Sequence, residues 1–217
     1  MRETIKLLSD IGVRAVKVIK VAHTDAWKLN NEGNEMDSRE YLEAMLRFIR
    51  QFFEDKMPVE VMLSNVIVLH KGAKEYEIPS VKHDGTERCL DRLLCGAARY
   101  DCYITPEGRL LPCMPMTACR EQELFPLIQE VGLKRGLSDS FYMDFVDSRI
   151  RDLLNVNVKC NACEHKYQCG GGCRANALAQ SGSLMGCDKE QCFFWEEGYE
   201  ERIRKIADKA IERYCSV

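Results

Sequence analysis

Twelve cysteines stand in this 217-residue chain, all of them between Cys89 and Cys215, and the first 88 residues contain none. That distribution divides the chain into an ordinary N-terminal stretch and a cysteine-dense remainder. A chain of this length can bury a core without covalent staples, so size does not account for the thiols. The opening MRETIKLLSDIGVRAVKV has no basic region followed by an apolar core and a cleavage site, and no stretch is apolar for the length of a membrane span. The expectation is a cytoplasmic protein, where clustered thiols serve as metal ligands because unmetallated pairs are kept reduced. A formal charge of −3 offers no basic footprint for nucleic acid or an anionic membrane.

The N-terminal stretch reads as alternating helix and strand. Ile5, Leu7, Leu8 and Ile11 fall on a helical face, and Gly12 stands where a helix ends. VRAVKVIKV, 13–21, is β-branched and mostly alternating, which predicts a strand. Asp37 with Glu40 forms a capping-box signature ahead of Tyr41, Leu42, Met45, Phe48, Ile49 and Phe52, and so predicts a helix over 38–55. VEVML, 59–63, predicts a second strand. Helix, strand, helix, strand is the alternation of parallel α/β architecture, too short here to close a barrel. Further helices are expected over 136–154 and 193–214.

The chemistry concentrates in KCNACEHKYQCGGGCRANA, where Cys160, Cys163, Cys169 and Cys173 are separated by two, five and three residues. On gap lengths alone, zinc and iron–sulfur both remain open. Three features favour iron–sulfur. Gly170, Gly171 and Gly172 leave bare backbone between two ligands, free to approach a bulky cluster. An upstream set exists in Cys89, Cys95 and Cys113, and Cys192 brings the ligand total to eight, enough for two four-cysteine clusters. Such a cluster with its thiolates carries about −2, and Arg174, Lys166, Arg99 and Arg109 are candidate cations beside it.

At these residues the sequence resembles the SPASM or twitch extension of radical S-adenosylmethionine enzymes that modify peptides and proteins. Cys95, twelve residues, Gly108, four residues and Cys113 match the first half of that family's pattern, and the run at 160–173 matches the second. The resemblance covers about residues 85–200. It implies an α+β chain: 1–80 as the C-terminal remnant of a partial (β/α) barrel, 81–217 as a SPASM-type domain with two [4Fe-4S] clusters. Carried over position by position, it assigns Cys89, Cys95, Cys113 and Cys173 to the first cluster and Cys160, Cys163, Cys169 and Cys192 to the second. Cys187 competes for the last place. Cys192 is preferred because an acidic residue precedes it and Phe193, Phe194 and Trp195 follow, as in the family.

One family element is missing. The CxxxCxxC triplet that holds the S-adenosylmethionine cluster does not occur; Cys169 and Cys173 have the first gap, but Asn176 stands at the third position. The resemblance therefore implies an accessory role, electron relay or substrate binding, with S-adenosylmethionine bound only by a missing or separate core domain. The implied partners are a peptide or protein substrate and a radical S-adenosylmethionine core chain or reductant protein; the alternative is a stand-alone electron-transfer or binding module serving a separate catalytic subunit. Met114 follows Cys113 where sulfatase-maturating members carry an acid, which disfavours that substrate.

Overall fold

A computed structural model describes residues 1–20, 33, 36–72 and 74–215. The end of the first expected strand at Val21 lies outside these residues. The described residues form two compact units, one of 1–20, 33, 36–72, 74–81 and 193–215, the other of 82–192.

In the first unit, α1 (Arg2–Asp10) leads into β1 (Ala15–Val18), then α2 (Ser38–Glu54) and β2 (Glu60–Leu63). Asp37 accepts the Glu40 N–H at 2.7 Å while the Glu40 carboxylate accepts the Asp37 N–H, so the expected capping box is formed. α2 buries Leu42, Met45, Phe48, Ile49 and Phe52, the apolar stripe read from the sequence. β1 and β2 pair in parallel, Ala15 opposite Glu60 and Val18 opposite Leu63. The sheet then departs from the simple alternation. A left-handed Ser64 turns the chain so that β3 (Ile67–Leu69) returns antiparallel to β2, and β4 (Tyr76–Glu77) adds antiparallel to β3. The expected closing helix is two helices, Lys189–Glu196 and Tyr199–Cys215, parted at Gly198 with φ +65°. The longer one packs on α2, where the Tyr199 hydroxyl donates to Glu43 at 2.9 Å.

The second unit is built of short helices and one small hairpin. β5 (Tyr103–Ile104) pairs antiparallel with β6 (Leu110–Leu111) around a turn at Gly108, φ +83°. The helix expected over 136–154 is broken into Ser140–Asp147 and Ile150–Val156. The cause is tertiary: the Leu94 N–H donates to Ser148 O at 2.8 Å and the Ile150 N–H to Arg92 O at 3.1 Å, a bridge that pulls 148–150 out of helical geometry. That bridge ties the segment carrying Cys89 and Cys95 to the helix that leads toward Cys160. Among the described residues no helix is long and apolar enough to cross a membrane.

Candidate iron–sulfur site

The two-five-three run is shaped by local caps. Asn157 accepts the Cys160 N–H at 2.9 Å and starts helix Val158–Ala162, which carries Cys160 and ends at Cys163. Helix Lys166–Cys169 closes on left-handed Gly170. Gly170, Gly171 and Gly172 all have positive φ, and what stands against each is protein: a Cβ at Gly170 would meet His83 Nε2 at 2.7 Å, at Gly171 Leu153 Cδ2 at 2.5 Å, at Gly172 the Asp188 Cβ at 2.7 Å. The glycines therefore have a reason beyond open approach to a cluster: the loop is pressed under side chains of its own unit. Lys82 holds it from the far side, its Nζ donating to Gly172 O at 2.7 Å.

Two apolar cores receive the thiols. Cys95 and Cys113 pack against one containing Leu111, Met116, Cys119 and Phe125. Cys89 lies in the other, with Leu94, Ile150 and Leu153, against which Cys160 also packs. Burial pushes Cys113 up to about 12; a Met116 N–H works against this, and the thiols of Cys173, Cys95 and Cys119 add to it. Two of the other residues expected in the first set, Cys95 and Cys173, thus act on Cys113 through their charge, whereas the charges felt at Cys89, itself raised by burial, are those of Asp84 and Arg92. In the second set burial raises Cys160 to about 12, reinforced by Cys187 and Cys192 and opposed by Arg174. Cys169 is raised by burial and has Cys163, Lys82 and Asp188 as charge neighbours. Cys187 and Cys160 stand with their Sγ atoms 3.6 Å apart, so Cys187 and Cys192 both border Cys160.

Cys173 joins the groups. Its surface is exposed, yet burial raises its thiol, opposed by the N–H groups of Asn176 and Ala175 and reinforced by the charges of Asp188 and Cys95. Its backbone N–H donates to Asp188 Oδ2 at 2.7 Å. Asp188 is 4% exposed and also accepts from Glu190 N–H, Gln191 N–H and Asn176 Nδ2, so one carboxylate starts helix Lys189–Glu196 and aims Cys173. Sequence reasoning noted an acid before the last ligand but not this role; the Asp-x-x-Gln spacing at 188–191 was the available signal.

Of the four candidate cations, three are committed elsewhere. Arg99 pairs with Asp147, Arg109 donates to Glu123 O and Phe125 O, and Lys166 donates to Asn161 O. Arg174 alone of the four is deeply buried, at 1% exposure. Lys82 beside Cys169 and Arg92 beside Cys89 were not foreseen. Met116 is buried in the core, while Met114, which follows Cys113, is exposed.

Among the described residues no three Cys, His, Asp or Glu side chains sit close enough to hold one metal ion. A four-iron cube spaces its ligands further apart than one ion does, and the fit is better judged by the donors. Arg174 Nε and Nη2 are buried without a hydrogen-bond partner among the described residues, an arrangement that calls for an anion against them. The thiols themselves give a pH test. Cys113 and Cys160 ionise far later folded than unfolded, so their contribution to stability is complete below the ordinary thiol value and is lost as pH rises toward about 12. The metal-free chain should unfold at lower urea at pH about 10.5 than at pH about 8, followed by circular dichroism; an unchanged midpoint would mean the thiols are not buried.

No protein-family model and no solved structure matches the chain. A PqqA peptide cyclase from Gluconobacter oxydans is 26% identical over 174 residues, covering 78% of this chain and 42% of the relative. An AdoMet-dependent heme synthase from Methanosarcina barkeri is 25% identical over 194 residues, covering 84% and 49%. The chain spans about half the length of these curated relatives.

Proposed function

We propose that this chain is the auxiliary iron–sulfur part of a radical S-adenosylmethionine maturase acting on a peptide or protein. Eight cysteines would hold two [4Fe-4S] clusters, Cys89, Cys95, Cys113 and Cys173 the first, Cys160, Cys163, Cys169 and Cys192 the second. The observation that carries the reading is that Cys95 and Cys113 pack against one apolar core while the charge of Cys173, from a stretch far away in sequence, reaches Cys113. The distant relationship to a peptide cyclase and an AdoMet-dependent heme synthase supports the reaction class and, through the former's name, a peptide substrate.

When bound, the clusters would supply one-electron chemistry. The chain's own residues set the conditions for it. Leu94, Ile150 and Leu153 shield Cys89 and Cys160 from water, and Leu111, Met116 and Phe125 shield Cys95 and Cys113. Asp188 fixes the backbone of Cys173, and Lys82 fixes the loop between Cys169 and Cys173. S-adenosylmethionine would be bound by a core carrying CxxxCxxC, which this sequence does not contain, whether that core is joined to the chain or is a separate subunit to which it passes electrons. The reading places the protein in the cytoplasm, where free thiols persist.

Anaerobic reconstitution should give about eight irons and as many sulfides per chain, with Mössbauer parameters of the cubane type. A colourless preparation that is folded and free of sulfide would overturn the reading.

A further inference from the structure

We propose that the Arg174 guanidinium is a positioning residue shared by both clusters, one buried cation that sets the reduction potentials of the two together. The inference rests on the two-cluster reading above. Arg174 is the most buried charged side chain of the unit, at 1% exposure, and its orientation is fixed: Nη1 donates to Leu184 O at 2.8 Å and to Gly186 O at 2.9 Å. Those two bonds leave Nε and Nη2, both buried, without a partner among the described residues. A guanidinium held this rigidly with unmet donors is costly unless an anion completes it.

The neighbours say which anion. The groups whose charge reaches Arg174 are Asp188 and the thiols of Cys160, Cys173 and Cys169. In the proposed assignment Cys173 belongs to the first ligand set and Cys160 and Cys169 to the second, so the cation acts on thiols of both sets. The path to both is kept short by Gly171, where an added Cβ would come within 3.5 Å of Nη2. Asp188 is spent on four N–H donors and leaves the guanidinium only partly balanced. Two clusters of about −2 each would repel one another, and a shared cation lowers the cost of reducing either. Lys82 is the contrasting case. Its ammonium neighbours Cys169 of the second set and is anchored on Gly172 O.

The test uses the anaerobically reconstituted full chain and electron-paramagnetic-resonance redox titration. Arg174→Gln should lower the midpoint potentials of both clusters while iron stays at about eight per chain, Arg174→Lys should restore part of the shift, and Lys82→Gln should move the second cluster alone. A shift confined to one cluster in Arg174→Gln, or none, overturns the inference. Should Arg174→Gln lose iron, the wild-type chain labelled with ¹⁵N-arginine decides: pulsed resonance should show an arginine nitrogen coupled to each reduced cluster, lost in Arg174→Lys. A missing coupling at either cluster refutes the sharing. A wild-type chain that takes up neither iron nor sulfide overturns the two-cluster reading itself, and this inference with it.

Discussion

Gly171→Ala should destabilise the chain by about 2–4 kcal/mol and deprive it of iron at both clusters. Two costs add. Gly171 has φ +88°, where an L side chain loses about 1–2 kcal/mol to its own backbone. The new Cβ would also lie 2.5 Å from Leu153 Cδ2 and 3.0 Å from Leu94 Cδ1. Neither leucine can yield easily. Leu153 is fully buried, and Leu94 is held by its own N–H to Ser148 O. The flanking residues Cys169 and Cys173 serve different clusters in the proposed assignment, so one displaced loop disturbs both. Gly182→Ala is the control, left-handed at φ +69° with only Glu121 Oε1, 3.8 Å away, near the added methyl, and should cost only about 1 kcal/mol. Urea unfolding of the two variants separates the effects. If Gly171→Ala matches Gly182→Ala, the loop is not pressed under the leucines and the packing argument fails.

This loop shows where sequence reasoning reaches and where it stops. Three consecutive glycines between ligands signal unusual backbone, but the side chains that enforce it, His83, Leu153 and Asp188, come from three other places in the chain. The same holds for helices. The capping box at Asp37 and Glu40 is a local interaction and was legible to the residue. The break at Ser148 was not, because 140–156 has helical periodicity throughout and the bridge to Arg92 and Leu94 is what interrupts it. The hairpin of β3 and β4 was passed over although NVIVL is β-branched, since helix–strand alternation suggested a parallel continuation and the turn at Ser64 has no glycine to announce it. In the site, spacing nominated the thiols, but charge could only be nominated in bulk. Four cations were candidates on proximity in sequence; tertiary partners at Asp147, Glu123, Phe125 and Asn161 claim three and leave Arg174.

Cys173→Ala, reconstituted without oxygen, should retain about four irons per chain where the parent holds about eight. The reasoning is topological. Cys173 groups with Cys95 and Cys113, while Cys160, Cys163 and Cys169 precede it and keep their own caps at Asn157 and Gly170. Removing the sulfur leaves the Cys173 N–H on Asp188 and therefore leaves the start of helix Lys189–Glu196 in place, so the second set should still assemble. A substitute ligand stands nearby: Cys119 is buried, donates its thiol to Ala175 O at 3.3 Å and borders Cys113 and Cys173. Cys119→Ala alone should keep about eight irons, and Cys119→Ala with Cys173→Ala should bring the total to about four even if the single variant is rescued. Circular dichroism confirms that each variant is folded before iron is counted. The last ligand is settled in the same series, where Cys192→Ala should lose about four irons and Cys187→Ala none. Because Cys187 and Cys192 both border Cys160, the opposite result is structurally open and would move the second cluster's closing ligand to Cys187. About eight irons in the double variant would be the graver outcome, since the first set would then have neither Cys173 nor its only neighbouring substitute among the described residues, and the assignment of Cys89, Cys95 and Cys113 would fall with it.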